Sequence, residues 1–272
     1  MISFSGGRTS AYMLHQIIAA HSGSLPADVH VNFANTGKER EETLRFVHEC
    51  GTRWNVAINW IEYRSAAPGF ELVGYNSASR NGEPFQALID KKQRLPNWKE
   101  RWCTALLKVQ PMTDFATSLG LVPGEYSEVI GLRDDEGIRI FRGLENAGKR
   151  GRKVVYPLAS AKIRKADVME FWRKQPFDLG LEPWEGNCDL CFLKGRGIKK
   201  RIIRQRPACA PWWAANESQH KGKQERGWFD KRDSIAGLAA EVAANPDMFE
   251  DIEPEEYDVE CGTYCSSESE AA

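Results

Sequence analysis

What is missing from this 272-residue chain narrows its possible work. Net charge is almost absent, with 37 Lys and Arg against 38 Asp and Glu. Global charge therefore points to no polyanionic partner. No apolar run is long enough to span a membrane, so no membrane partner is expected. No basic leader with a cleavage site opens the chain, because Met1 enters a buried strand and a glycine turn at once. A cytoplasmic location is the expectation. No internal repeat is found.

Seven cysteines without a secretory context argue against a disulfide framework and for metal binding or thiol chemistry. Nine tryptophans are many, and several fall in the second half, where they are expected to pack an extension. The length suits one large domain, or a domain with an extension.

What is present is concentrated at the start. Ser3-Phe4-Ser5-Gly6-Gly7-Arg8-Thr9-Ser10 joins a short apolar strand to a helix in which Tyr12, Met13, Ile17 and Ala20 recur at helical spacing. Strand, glycines and helix start together form a device for holding phosphate. The glycines let the backbone come close, N–H groups converge, and the helix N-terminus adds partial positive charge. Ser5, Thr9 and Ser10 add hydroxyls. The glycine spacing is neither that of the P-loop nor that of the dinucleotide fingerprint. A glycine-rich turn without a ligand is the competing reading.

Further along, residues 29–33 and 56–63 read as strands. A helix is predicted over 39–50, acidic in its first turn as the macrodipole prefers. Strand, helix, strand, helix, strand predicts a parallel sheet with helices on both faces and ligands beyond the C-terminal strand ends. Residues 64–100 read as an irregular lid or insertion. A helix over 106–119, a strand over 128–132, a glycine- and base-rich mobile loop over 142–153, a short strand over 154–158 and a helix over 166–174 follow. Residues 266–272 read as disordered.

The glycine turn resembles the PP-loop, Ser-Gly-Gly-x-x-Ser/Thr, of the adenine-nucleotide alpha-hydrolases. Other pieces resemble segments of that superfamily's PAPS (phosphoadenosine-phosphosulfate) reductase family, in family order over residues 1 to about 195. Asn35-Thr36-Gly37 with Glu42-Thr43-Leu44-Arg45-Phe46 looks like its DTG…ET-x-x-F segment, with Asn35 in place of the usual Asp. Arg101-Trp102-Cys103-Thr104 with Lys108-Val109-Gln110-Pro111 looks like R-x-C-C/T…LK-x-x-P. Gly131-Leu132-Arg133 with Asp135-Glu136 looks like G-[IL]-R…E, although the family's next arginine falls where this chain has Ile140, with Arg139 one place early. Tyr156-Pro157-Leu158 with Asp167-Val168 looks like YPL…DV.

The resemblance implies a Rossmann-like α/β fold carrying an adenine nucleotide, either ATP or PAPS/APS, with Mg²⁺. It implies a PP-loop nucleotide-binding α/β domain over 1–160 and a cysteine-containing extension over 161–272. Ser5, Gly6, Gly7, Arg8, Thr9, Ser10, Thr36, Gly37 and Gly131 are the implied nucleotide contacts. Arg133 and Arg139 sit where a phosphate clamp is wanted, since arginine offers a planar fork of donors. A surface ion pair with Asp134, Asp135 or Glu136 is the other reading. Asp135 and Glu136 suit Mg²⁺ as hard oxygen ligands, or form a solvated acidic turn.

Cys188-x-x-Cys191 has metal-ligand spacing, and also suits a redox dithiol or half of a zinc site. In iron–sulfur members of the superfamily, a cysteine placed like Cys103 and a later Cys-x-x-Cys pair hold a [4Fe–4S] cluster. Cys209 is the candidate fourth ligand. Alternatively three ligands leave one iron open, as in some tRNA thiolation enzymes. Thiolates favour an iron–sulfur cluster, with Zn²⁺ as the alternative. Cys50 reads as a small core residue. Glu260-Cys261-Gly262 resembles the terminal segment of sulfonucleotide reductases, whose cysteine attacks sulfur. Tyr264 stands where those enzymes have histidine, and acidic neighbours disfavour a thiolate.

Residues 194–206 are strongly basic and precede Trp212 and Trp213. They grip a nucleic acid or form a solvated helix face. Three functions are weighed. An ATP pyrophosphatase-type enzyme that adenylates an acceptor for sulfur transfer, with a sulfur donor protein as partner, comes first. A sulfonucleotide reductase making sulfite is second. A non-catalytic nucleic-acid-binding protein with a structural metal is third.

Overall fold

A computed structural model describes residues 1–245. The apolar runs of the first sixty-odd residues build a parallel sheet. β1 (Ile2–Ser3) lies between β2 (Val31–Asn35) and β5 (Ser127–Ile130), parallel to both. β3 (Ile58–Tyr63) adds to β2, and β6 (Lys153–Val155) adds to β5, again in parallel. β4 (Phe70–Val73) runs antiparallel on the far edge, giving the order β4-β3-β2-β1-β5-β6. The chain therefore reverses its direction of growth across the sheet between β1 and β5. That switch point is where ligands lie in open α/β sheets.

α1 (Arg8–Ala20), α2 (Glu41–Arg53) and α8 (Lys165–Arg173) send Met13, Leu14, Leu44, Phe46, Val168 and Trp172 into one core with Ile2, Phe4 and Phe33. Leu179 and Leu181 belong to that core too, so it extends past residue 160. The opposite face is covered by α4 (Trp102–Thr104), a π-helical stretch (Ala105–Val109) and α5 (Gln110–Ser118), which run on from one another and contact β2 and β3. α6 (Gly137–Lys149) and the short α7 (Pro157–Ser160) flank β6.

A second core has a different origin. α3 (Glu83–Lys92) and Trp102 supply Phe85, Leu88, Ile89 and an indole to it. α9 (Arg196–Gln205), α10 (Ala210–His220) and α11 (Ile235–Ala244) supply Ile198, Ile202, Trp213, Ile235 and Leu238. Trp184, Trp212 and Trp213 pack here, and Trp172 of α8 packs in the first core. Among the described residues no helix is long and apolar enough to cross a membrane.

Two stretches depart from the sequence expectation. The glycine-rich 142–153 is mostly helix, because Gly143 and Ala147 form the buried side on which α6 packs. A Cβ at Gly143 would overlap the Tyr156 hydroxyl, so that glycine permits close packing and does not mark a loop. The stretch 64–100 is likewise ordered, into β4 and α3, and α3 packs with the C-terminal helices. Cys261 and residues 266–272 lie outside the described residues.

Candidate functional site

The turn after β1 is shaped by two glycines with different jobs. Gly6 has a φ of 79°, and a Cβ there would come within 2.8 Å of Thr43 and 3.1 Å of Phe33 and Val47. It lets the turn sit directly on α2. Gly7 is extended and caps α1, and a Cβ there would find only ordinary contacts at 3.7 Å. The fold thus needs a glycine at Gly6, whereas a Cβ at Gly7 would be accommodated beside Asn187 and Ser5. Ser5 and Ser10 hydroxyls meet at 2.9 Å, and Ser10 Oγ also accepts from the Ser5 amide. No acidic residue occupies the first turn of α1, so its orphan N–H groups face a site with no carboxylate of their own helix.

A cleft of about 210 Å³ opens over this turn, at the switch point between β1 and β5. Ser5, Gly7, Arg8, Thr9, Ser10, Gly131, Arg133 and Arg139 all line it. Gly131 is where β5 meets α1, since a Cβ there would lie 3.1 Å from Ser10 Cα. One arm of the cleft is apolar, made by Val168, Met169, Leu179 and Leu181. The other end carries Cys188, Cys191 and Lys194.

Arg133 spans the cleft floor. Its Nη1 donates to Thr9 Oγ1 at 2.9 Å and its Nε to Asp135 Oδ1 at 2.9 Å, with the side chain 7% exposed. The ion pair with Asp135 joins a buried guanidinium to a carboxylate that is 36% exposed. Burial works to raise the Asp135 pKa, yet the hydrogen bond from Arg133, the Lys165 amide and the guanidinium charge hold it below the usual carboxylate range. Glu136 pairs with Arg139 and accepts from the Arg133 amide at 2.9 Å. Both carboxylates are thus already taken by cations and amides, a donor set that does not fit a Mg²⁺ site. Arg8 is also engaged: its guanidinium holds the Asp178 carboxylate in a two-point pair and the Leu181 carbonyl at 3.1 Å. It ties the 178–181 arm to the start of α1.

Thr36 and Gly37 lie apart from the cleft lining. Gly37, with a φ of 77°, packs against Pro84 and Gly82 at the start of α3. Thr36 lines a second, smaller pocket with Cys103, Cys188, Cys191 and Lys108. Beside it Glu39 accepts from the Thr36 amide and hydroxyl at 2.7 and 2.8 Å and pairs with Lys108 at 3.1 Å. Asn35 is fully buried and donates to Glu62 Oε1 at 2.6 Å and Ser79 O at 2.9 Å, while its Oδ1 takes the Gly37 amide. An aspartate there would oppose the buried Glu62 carboxylate, which gives the asparagine its physical reason.

The cysteine loop reaches both pockets because residues 187–189 pair with 38–40. The Arg40 amide donates to Asn187 O at 2.8 Å and the Asp189 amide to Lys38 O at 2.8 Å. Asn187 Nδ2 reaches across to Ser5 O at 2.7 Å. Cys188 and Cys191 consequently line the cleft on one side and the smaller pocket on the other. Cys209 is absent from both linings; it lies buried on a 3₁₀ turn, its thiol pKa pushed up to about 11 by burial and then by Asp189. Among the described residues, no group of three or more His, Cys, Asp or Glu side chains is drawn together as a metal shell. Cys103, Cys188 and Cys191 nevertheless line one cavity of about 20 Å³, room for a single water-sized ion. The donor type suits a thiophilic metal. Cys50 is fully buried between α2 and the sheet, as expected of a core residue.

Some lining residues were not recognised as such in the sequence, among them Lys194, read only as the head of the basic run. Lys194 is 1% exposed, lines the cleft and donates to Trp184 O at 2.6 Å. Asn187 adjoins Cys188 in sequence, and that adjacency was its only signal. Much of the basic run is internal: Lys199 pairs with Asp230, Lys200 with Glu241 at 3.0 Å, and both are buried. Those lysines, with Lys194, do not reach a surface-bound strand. Trp213 is buried, and Trp212 packs on Phe85 under Lys38.

The fold is that of an α/β protein whose mostly parallel sheet carries a cleft at its switch point. No family model matches the chain. Over 202 residues it is 30% identical to the uncharacterized nin region protein ORF290 of Escherichia phage lambda. The match takes in 71% of this chain and 66% of that protein, so the chain spans just under two thirds of its relative's length.

Proposed function

We propose that the protein is an adenine-nucleotide enzyme of sulfur chemistry, of the PP-loop ATP pyrophosphatase type. It would cleave ATP between the α and β phosphates, adenylate an acceptor, and let sulfur replace the adenylate. One observation carries this reading: Cys188 and Cys191 form a wall common to the cleft over the glycine turn and to the pocket that holds Cys103. A phosphate-holding turn and a group of thiols so close together suit a reaction in which a nucleotide is activated and sulfur is delivered.

In this reading the α1 amides and the Ser5, Thr9 and Ser10 hydroxyls take phosphate oxygens. Arg133 and Arg139 supply charge where it develops, and Arg133 is pre-set by Thr9. The apolar arm of Val168, Met169, Leu179 and Leu181 takes the base. Cys103, Cys188 and Cys191 would hold a [4Fe–4S] cluster or Zn²⁺, with three protein ligands instead of four. Such a group supplies a thiophilic site for the incoming sulfur. The small cavity has room for a single ion as it stands.

The test is incubation of anaerobically purified protein with ATP or PAPS, following pyrophosphate and sulfite, with iron and zinc measured in the same preparation. Pyrophosphate from ATP supports the reading. Sulfite from PAPS, with an adduct on Cys261, assigns the protein to the sulfonucleotide reductases instead. Turnover of neither nucleotide, with neither bound, rejects both.

A further inference from the structure

The chain is nearly neutral, but one segment is not. Residues 137–174 carry eleven Lys and Arg against three Asp and Glu. The same segment holds five of the eight large apolar side chains exposed among the described residues, including Ile138 at 71%, Phe141 at 70% and Leu144 at 50%. These three lie on α6, which starts at the lip of the cleft, just after Glu136, and packs beside the edge strand β6. Thirteen residues of helix carry that face about 20 Å away from the cleft.

Some of the cations are satisfied locally. Lys149 pairs with Glu145, Lys162 and Arg164 with Asp134, and Arg173 and Lys174 with Glu170. Arg142, Arg150 and Lys153 are exposed, and no carboxylate among the described residues pairs with them. They follow α6 from its middle to its C-terminal end and into β6. Arg139 and Lys165, from the same segment, line the cleft itself.

We propose that this face binds a single-stranded nucleic acid, with phosphates on Arg142, Arg150 and Lys153 and bases against Phe141, Ile138 and Leu144. Cations interleaved with exposed aromatic and apolar side chains reward a ligand that offers both phosphates and unstacked bases. A duplex hides its bases. An anionic membrane rewards a continuous apolar face with cations on the rim. α6 instead turns Ile140 and Ala147 inward and sets Arg142, Glu145 and Lys149 among its exposed apolar side chains. A strand laid along α6 ends at the mouth of the cleft. The inference goes beyond the nucleotide reading and does not depend on it.

The test is fluorescence anisotropy with a short labelled oligonucleotide of mixed sequence, as single-stranded DNA, as single-stranded RNA and as duplex, with heparin and phosphatidylserine vesicles as further arms. Binding to a single strand supports the proposal, and the tighter of DNA and RNA names the polymer. Affinity should fall with salt with a logarithmic slope of about −2, as three phosphate contacts give. Arg142→Glu with Lys153→Glu should weaken binding at least tenfold, and Phe141→Ser about fivefold or more, at unchanged melting temperature. Equal binding of heparin, preference for duplex, binding to vesicles alone, or indifference to these exposed substitutions would each overturn it.

Discussion

The sheet half and the thiol half of the molecule differ in how they bury charge. Around β1, β2, α1 and α2 the core is Phe4, Met13, Leu14, Phe33, Leu44, Phe46 and Val47, and the ion pairs Arg133–Asp135 and Arg8–Asp178 sit around the cleft. The other core packs Trp102, Trp213, Phe229 and Ile198, with Lys199, Asp230 and Glu217 buried in the same half. Burying ions costs several kcal/mol each unless they are paired with good geometry. The first half also buries a carboxylate, Glu62, held by Asn35 and Ser79, but depends above all on how closely the glycine turn approaches α2. The second depends on pairings.

The two halves should differ most at Lys199–Asp230, where the lysine side chain is fully buried. Asp230→Ala strands that charge and should cost about 3–5 kcal/mol in urea unfolding. Adding Lys199→Met should recover most of the loss; no recovery would show that the pair is not the reason. The next effect is pH-dependent. Burial pushes the Glu217 pKa up to about 7 from an ordinary 4.5, although its carboxylate accepts from the Phe229 and Ile235 amides. The folded state thus holds the proton more tightly than the unfolded chain. Its stabilisation is fully present below about pH 4.5 and is lost as pH rises through about 7, a span of about 3 kcal/mol. Glu217→Gln carries no titrating proton, so its unfolding free energy should vary less between pH 5 and 8 than that of the unmodified protein. Parallel profiles would contradict the assignment.

In the sheet half the sharpest contrast is between adjacent glycines. Gly6→Ala meets both a positive φ and a 2.8 Å contact and should cost about 2 kcal/mol, whereas Gly7→Ala should stay within about 0.5 kcal/mol. Thermal unfolding of the two variants side by side decides it, and equal losses would dissolve the distinction. The smallest effect is expected at the exposed Arg164–Asp134 pair, where Arg164→Ala should change stability by less than about 0.5 kcal/mol.

The same contrast explains what was legible in the sequence. Short apolar strands alternating with helices announced the parallel sheet, and the double glycine announced the turn, because both signals are local. Strand starts were placed early at 29 and 56, since apolar residues leading into a strand look like the strand itself. The pairing of 187–189 with 38–40 is long-range, so nothing local marked Asn187 as the residue that braces Ser5. The basic run 194–206 looked like a surface for the same reason: its partners Asp230 and Glu241 lie about thirty to forty residues further on. Arg142–Lys153 looked like a loop because Gly143 and Gly148 hid an amphipathic helix whose small residues are its packing face.

The central claim is that the turn at Gly7 holds the phosphates of an adenine nucleotide. Isothermal calorimetry with a non-hydrolysable ATP analogue, on the unmodified protein and on Gly7→Val, tests it directly. A Cβ is tolerated at Gly7, but it lies beside Asn187 and Ser5, which line the cleft, so the larger side chain of valine would narrow the space over the turn. The account predicts measurable binding to the unmodified protein and its loss in Gly7→Val at a nearly unchanged melting temperature. Equal affinity in the two proteins would contradict it.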